Sequence, residues 1–277
     1  MIGICGCHRT GKTTLANALP SLISSDRYVV KEMKTEEMLK QLGVTAQSKM
    51  SLARRITIQR QLLKMYEKRL EELYQEEEVE GVWASGSHEF NFVVDRTPID
   101  VAAYLLVNAS FQETTTIGQS QAEEIEKLLA DSVSVTSKYF DMVVHLPLGI
   151  TVVEDSAKAS CNPAFMIHLD LVIRGILQKH ALDNWCNPDA GRPFPVICWI
   201  DEDTTDLKER AVLVNDTFRK TFVENTAEDV LMVEQEELPE TKFKRKKKTE
   251  PSAEETIEAP EVKESEVEIV PVNEENS

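Results

Sequence analysis

The chain has 277 residues and a formal charge of −17 at pH 7. No apolar run approaches the ~18 residues that a membrane span needs, and so acidic a balance argues against a surface that coats nucleic acid. Much of that charge lies in the C-terminal tail, so it says less about the folded part. Five cysteines (Cys5, Cys7, Cys161, Cys186, Cys198) are scattered, odd in number and without zinc-ligand spacing. They read as reduced thiols of a cytoplasmic protein, and no secretory signal is expected before the first strand.

Met1 to Cys5 is a short apolar run that predicts a buried parallel strand. It leads into Gly6-Cys7-His8-Arg9-Thr10-Gly11-Lys12-Thr13-Thr14, which fits the spacing G-x-x-x-x-G-K-[ST]. The glycines let backbone N–H groups curl round a polyphosphate where a Cβ would crowd the turn. Lys12 is expected to reach the β- and γ-phosphates, and the Thr13 hydroxyl to hold Mg²⁺. Leu15, Ala16, Leu19, Leu22 and Ile23 then recur at helical spacing, so a helix points its positive end at the same anion.

Tyr28 to Glu32 reads as a second strand that ends in a carboxylate. In a doubly wound sheet the carboxyl ends of strands line the ligand crevice, so Glu32 either meets a substrate hydroxyl or is a surface glutamate at a strand end. A short helix over Glu36 to Lys40 is stopped by Gly43. From residue 51 to about 75, Leu52, Ile56, Gln59, Leu63, Tyr66, Leu70 and Leu73 form one stripe that faces the sheet or a partner, which leaves a homodimer possible. Gln59 is the polar exception in that stripe: it either bonds the protein itself or reads the polar edge of a bound base. Arg55, one turn earlier, either approaches an anionic substrate group or lies on a solvated helix face.

Phe90 to Val94 predicts a third buried strand, ending in Asp95-Arg96-Thr97-Pro98-Ile99-Asp100, and Pro98 fits the first turn of a helix over Ile99 to Leu106. A carboxylate at the end of an apolar strand, downstream of a phosphate loop, suits the Mg²⁺ shell, which makes Asp95 a candidate metal residue beside Thr13. The Arg96 fork suits phosphate or carboxylate. The alternative is an Asp–Arg pair that only caps the helix. Residues 110–121 read as a loop, 122–129 as a helix and Met142 to Leu146 as a fourth strand. A polar segment at about 154–164 would suit a short lid, with Lys158 as its cation or as a plain surface lysine. A helix carrying Phe165, Leu169, Val172, Ile173 and Ile176 follows, then a fifth strand from Pro195 to Ile200. A last helix starts at Asp206, with Leu207, Ala211, Val214 and Phe218 on its apolar face. The folded domain is expected over 1–234, and 235–277 as a disordered tail, basic from Lys242 to Lys248 and acidic after it.

Taken in this order, the phosphate loop, Val30-Lys31-Glu32, the stretch Val93 to Asp100 and the segment Val153-Glu154-Asp155…Lys158 resemble the nucleoside and nucleotide kinase branch of P-loop proteins. The chain is similar to the small AAA-like ATPase/kinase family related to nicotinamide-ribonucleoside kinases. Deoxynucleoside kinases and phage deoxynucleotide kinases share the plan. The resemblance runs from Met1 to about Phe222. It implies ATP and Mg²⁺ at Lys12 and Thr13, Glu32 as the carboxylate that accepts the substrate hydroxyl proton, and Asp95-Arg96 as the pair that touches substrate and phosphates. Lys158 falls where the family's lid usually has an arginine, a departure that replaces a fork with a point charge.

The expected fold is therefore α/β: a three-layer P-loop NTPase fold with five mostly parallel strands in the order 2-3-1-4-5 and a short lid. The expected activity is ATP- and Mg²⁺-dependent phosphoryl transfer to a nucleoside, a nucleoside monophosphate or a related acceptor. Lys12, Glu32, Asp95, Arg96 and Lys158 are its catalytic candidates, and Glu32, Arg55, Gln59 and Arg96 its substrate contacts. Two alternatives stand beside it. One is a nucleotide-gated regulatory ATPase whose tail recruits a partner, and the other a kinase of a modified base in DNA, served by the basic run.

Overall fold

The computed structural model describes residues 1–22, 28–45, 48–79, 91–111, 117–149, 162–186 and 193–222. Five strands form the sheet: β1 (Ile2–Gly6), β2 (Tyr28–Lys31), β3 (Asn91–Val94), β4 (Met142–Leu146) and β5 (Val196–Trp199). Seven described helices accompany them: α1 (Lys12–Leu22), α2 (Thr35–Gln41), α3 (Leu52–Val79), α4 (Pro98–Ser110), α5 (Gln119–Tyr139), α6 (Pro163–Cys186) and α7 (Leu207–Phe222).

Side chains alternate across the parallel strands and divide the core in two. Ile2 and Ile4 of β1, Val93 of β3 and Met142, Val144 and Leu146 of β4 pack with Leu15 and Leu19 of α1 and Ala211, Val214 and Phe218 of α7. Cys5, Phe92, Val94 and Val143 point the other way, toward α3, α4, α5 and α6. The result is three layers, and every strand pairing in the sheet is parallel. The strand order is β2-β3-β1-β4-β5, as the sequence predicts. β1 is central: the chain leaves it toward β2 on one side and, after β3, crosses to β4 on the other. That is the kind of point where open α/β sheets take ligands. No helix among the described residues is long and apolar enough to cross a membrane.

The differences from the sequence reading have local causes. The helix expected over 122–129 is α5, which continues to Tyr139. Its second half, Ser132-Val133-Ser134-Val135-Thr136-Ser137, has poor helix formers, but Ser132 and Thr136 are buried and the Thr136 hydroxyl donates back to the Ser132 carbonyl. Packing overrides propensity there. The stripe on α3 is wider than expected, because Ile58 and Leu62 are buried beside Ile56, Leu63, Tyr66, Leu70 and Leu73. This face packs within the chain's own core, and Arg60 and Glu71 reach Glu124 and Lys138 of α5. On the opposite side of the sheet, Asp206 caps α7 as expected, its carboxylate accepting from the N–H groups of Lys208 and Glu209.

Of the lid expected at 154–164, residues 154–161, including Lys158, lie outside the described residues, and so do the tail and its boundary at 234. The described end of that segment is the start of α6, where the Asn162 side chain caps Ala164 and Phe165.

Candidate functional site

The site collects at the carboxyl edge of the sheet. β1 ends at Gly6, whose φ of 146° and closeness to the Leu146 carbonyl (2.4 Å from a built Cβ) admit no side chain. The chain then turns through Arg9 and Gly11, with φ of 65° and 91°, and enters α1 at Lys12. Within the loop the Thr10 hydroxyl donates to the Cys7 carbonyl at 3.0 Å. Lys12 is buried and folds back, its ammonium donating to the carbonyls of Gly6 at 2.7 Å and Cys7 at 2.5 Å. Burial, and then the nearby Arg96 charge, lower its pKa to about 8. The loop thus holds an ammonium whose charge no carboxylate pairs among the described residues.

Thr13, at the first turn of α1, donates from its hydroxyl to the Asp95 carboxylate at 2.9 Å. Asp95 ends β3, and its other oxygen accepts from the Met33 N–H at 3.2 Å. The two residues proposed for a metal from sequence are therefore neighbours. A hydroxyl and a carboxylate are hard oxygen donors of the kind a magnesium ion shares with substrate phosphates. Glu32 directly precedes Met33, just after the end of β2, and is exposed.

Next to Asp95, Arg96 is surrounded by phenols and carboxylates. Burial alone would lower its pKa, but Tyr66, Tyr104, Asp100 and Asp95 more than offset that and raise it. It stays a cation at any working pH. Tyr104 of α4 accepts from Arg96, and its hydroxyl lies 3.0 Å from His8 Nδ1. The His8 ring also faces Phe165 of α6. Tyr66 of α3 shares a 2.6 Å hydrogen bond with the Thr35 hydroxyl. Burial raises the pKa of both phenols, so both hydroxyls keep their protons. Burial also raises Cys5, and raises Cys7 to about 12, so these thiols are neutral and poor nucleophiles.

Arg55 and Gln59 share the Tyr66 face of α3. Gln59 lies seven residues before Tyr66 and Arg55 eleven before, which places them about 10 and about 16 Å along the helix axis. The Gln59 carbonyl oxygen and the Arg55 Nε are shut off from solvent and have no hydrogen-bond partner among the described residues. Burial lowers the Arg55 pKa. Both readings of Gln59 stay open, and among the described residues its oxygen meets no donor.

Three residues of this region were not singled out from sequence. Asp100 is buried, and its carboxylate accepts from the Gly6 N–H at 3.2 Å and from the Thr97 N–H and hydroxyl at 2.8 and 3.0 Å. It ties the start of the phosphate loop to the start of α4. The spacing Thr97-x-x-Asp100 before an apolar helix was the available signal. Tyr66 reads as one more apolar position in its stripe, although a buried phenol needs a partner. Arg210 is an arginine inside the apolar face of α7, and it is 1% exposed.

A parallel sheet in this order, with a glycine-lysine-threonine loop joining its central strand to a helix, defines the chain as a P-loop NTPase fold. No protein-family model matches it, and no curated protein matches its sequence. Among solved structures it is similar to a deoxyadenosine kinase from M. mycoides with bound dCTP, at 14% identity over 79% of this chain and 98% of that one, with a TM-score of 0.47. With bound dATP, the deoxyadenosine kinase from the same organism aligns at 16% identity over the same shares, with a TM-score of 0.48.

Proposed function

We propose that the protein is a phosphotransferase that moves the γ-phosphoryl group of Mg·ATP to a hydroxyl of a nucleoside-like acceptor. The observation that carries this reading is the convergence, at one edge of the sheet, of the phosphate loop with Lys12, the Thr13–Asp95 pair and the cationic Arg96. Phosphoryl transfer asks of a protein mainly positioning and positive charge, and these are what the residues offer.

In this reading Lys12 and the loop N–H groups hold the β- and γ-phosphates. Thr13 and Asp95 would hold Mg²⁺, which neutralises charge on the phosphate oxygens when bound. Arg96 lies between donor and acceptor. The acceptor oxygen forms the new P–O bond, ADP leaves with the old one, and Glu32 takes the hydroxyl proton and passes it to water. The acceptor extends from there along α3. A nucleoside spans roughly the distance that separates Tyr66 from Gln59, so the half-buried Gln59 and Arg55 side chains would lie within reach of its base. Lys158 remains a candidate for closing on the phosphates.

The test is product identification. Mg·ATP labelled at the γ-phosphate is incubated with deoxynucleosides, ribonucleosides, nicotinamide riboside, nucleoside monophosphates and single-stranded DNA. One small-molecule acceptor class should carry the label away. Label found only in inorganic phosphate would contradict the proposal and favour a regulatory ATPase, whereas label in DNA would favour the base-in-DNA kinase.

A further inference from the structure

Arg210 of α7 takes no part in the scheme above, yet it is among the most deeply buried large side chains of the described residues. Its Nε donates to the Thr204 carbonyl at 2.6 Å and its Nη1 to the Thr10 carbonyl, in the phosphate loop, at 3.1 Å. Nη2 is buried without a hydrogen-bond partner among the described residues. No carboxylate pairs with the guanidinium among the described residues, and burial alone lowers its pKa. Two carbonyls could be met by a neutral amide. A permanent charge buried without a counter-ion is costly, and an approaching anion is what offsets that cost.

The geometry of the loop says where such an anion lies. A trans peptide is planar, with its carbonyl and the following N–H pointing in opposite directions, and the described chain has no cis peptide. The Thr10 carbonyl faces Arg210, so the Gly11 N–H of the same plane faces away from it, out of the other side of the loop. Gly11 has a φ of 91°, a conformation with little resistance to a flip of that plane unless the carbonyl is gripped. Lys12 holds the start of the loop in the same manner, through the carbonyls of Gly6 and Cys7.

We infer that Arg210 is a positioning residue of the phosphate site. From behind the loop it fixes the Thr10–Gly11 peptide with its N–H toward the bound polyphosphate, and it places a permanent positive charge beneath that N–H. The inference rests on the reading of residues 6–14 as a phosphate-binding loop. Because the charge is held away from water, it acts on the ligand with little screening, and its effect grows with the charge of the ligand.

The experiment is calorimetric binding of tripolyphosphate, ATP, ADP and adenosine to the full chain, comparing wild type with R210Q and R210K. Glutamine keeps an amide donor and loses the charge, while lysine keeps the charge and loses the fork. R210Q is expected to weaken tripolyphosphate and ATP about tenfold or more, ADP less and adenosine not at all, with R210K recovering most of the loss. If Arg210 is only a brace, both variants melt lower without ligand and weaken every ligand by one common factor, and that result overturns the inference. Should R210Q not fold, R210K must keep ATP and ADP binding close to wild type, and a loss that falls equally on ATP, ADP and adenosine overturns the inference. A wild-type chain that binds no polyphosphate overturns the phosphate-loop reading itself. Wild-type binding that R210Q leaves unchanged overturns the role of Arg210 alone.

Discussion

Lys12 shows how a single proton reports on the site. Its pKa falls from 10.5 to about 8 in the folded chain, chiefly through burial. Between those values the unfolded chain holds the proton that the folded chain has lost, so this group makes stability rise with pH across that window. A polyphosphate beside Lys12 restores its charge. Binding of ATP at pH 9 should therefore take up a proton, measured by calorimetry in buffers of different ionisation enthalpy, and Lys12→Met should abolish the uptake. Uptake that persists in that variant would place the titrating group elsewhere. Asp100 makes a second prediction at this scale. Three hydrogen bonds converge on its carboxylate, from Gly6 N–H and from the N–H and hydroxyl of Thr97. Asp100→Asn turns one acceptor oxygen into a donor and should cost about 1–3 kcal/mol of stability, read from urea unfolding. An unchanged midpoint would show that Asp100 does not anchor the loop.

At the scale of elements, β1 and its loop are tightly constrained. Gly6→Ala would drive a Cβ to 2.4 Å from the Leu146 carbonyl of β4 while φ stays at 146°. The backbone strain alone is about 1–3 kcal/mol, so the loop should shift and ATP affinity should fall further than overall stability. Equal losses in thermal melting and in binding would argue for a general packing defect instead. The phosphate loop was legible because its chemistry fixes residue types at fixed spacing, and the strands because parallel strands read as short apolar runs. The second half of α5 was not, since Ser132 and Thr136 fit a helix only once packing buries them. Asp100 and Arg210 were missed for a related reason. Each acts through a backbone group far away in sequence, Asp100 on Gly6 and Arg210 on Thr10, and no local pattern encodes such a contact.

The proposed site would draw on separated parts of the chain: residues 6–14 at the end of β1, Glu32 after β2, Asp95 and Arg96 after β3, and Arg55 and Gln59 on α3. The strand order alone brings Thr13 to Asp95, 82 residues apart. If catalysis resides in this assembly, a chain ending at residue 234 should keep phosphoryl transfer within about threefold of the full protein, since the basic and acidic tail supplies none of these groups. Loss of activity on truncation, with the melting transition kept, would return the tail to the mechanism. The most direct test of the account is ADP release from Mg·ATP, with and without the acceptor found in the labelling experiment, for wild type, Lys12→Ala and Glu32→Gln. The account predicts acceptor-dependent ADP, lost by several powers of ten in Lys12→Ala and by about 10²–10⁴ in Glu32→Gln. Acceptor-independent turnover, abolished by Lys12→Ala but untouched by Glu32→Gln, would contradict it and identify a nucleotide hydrolase.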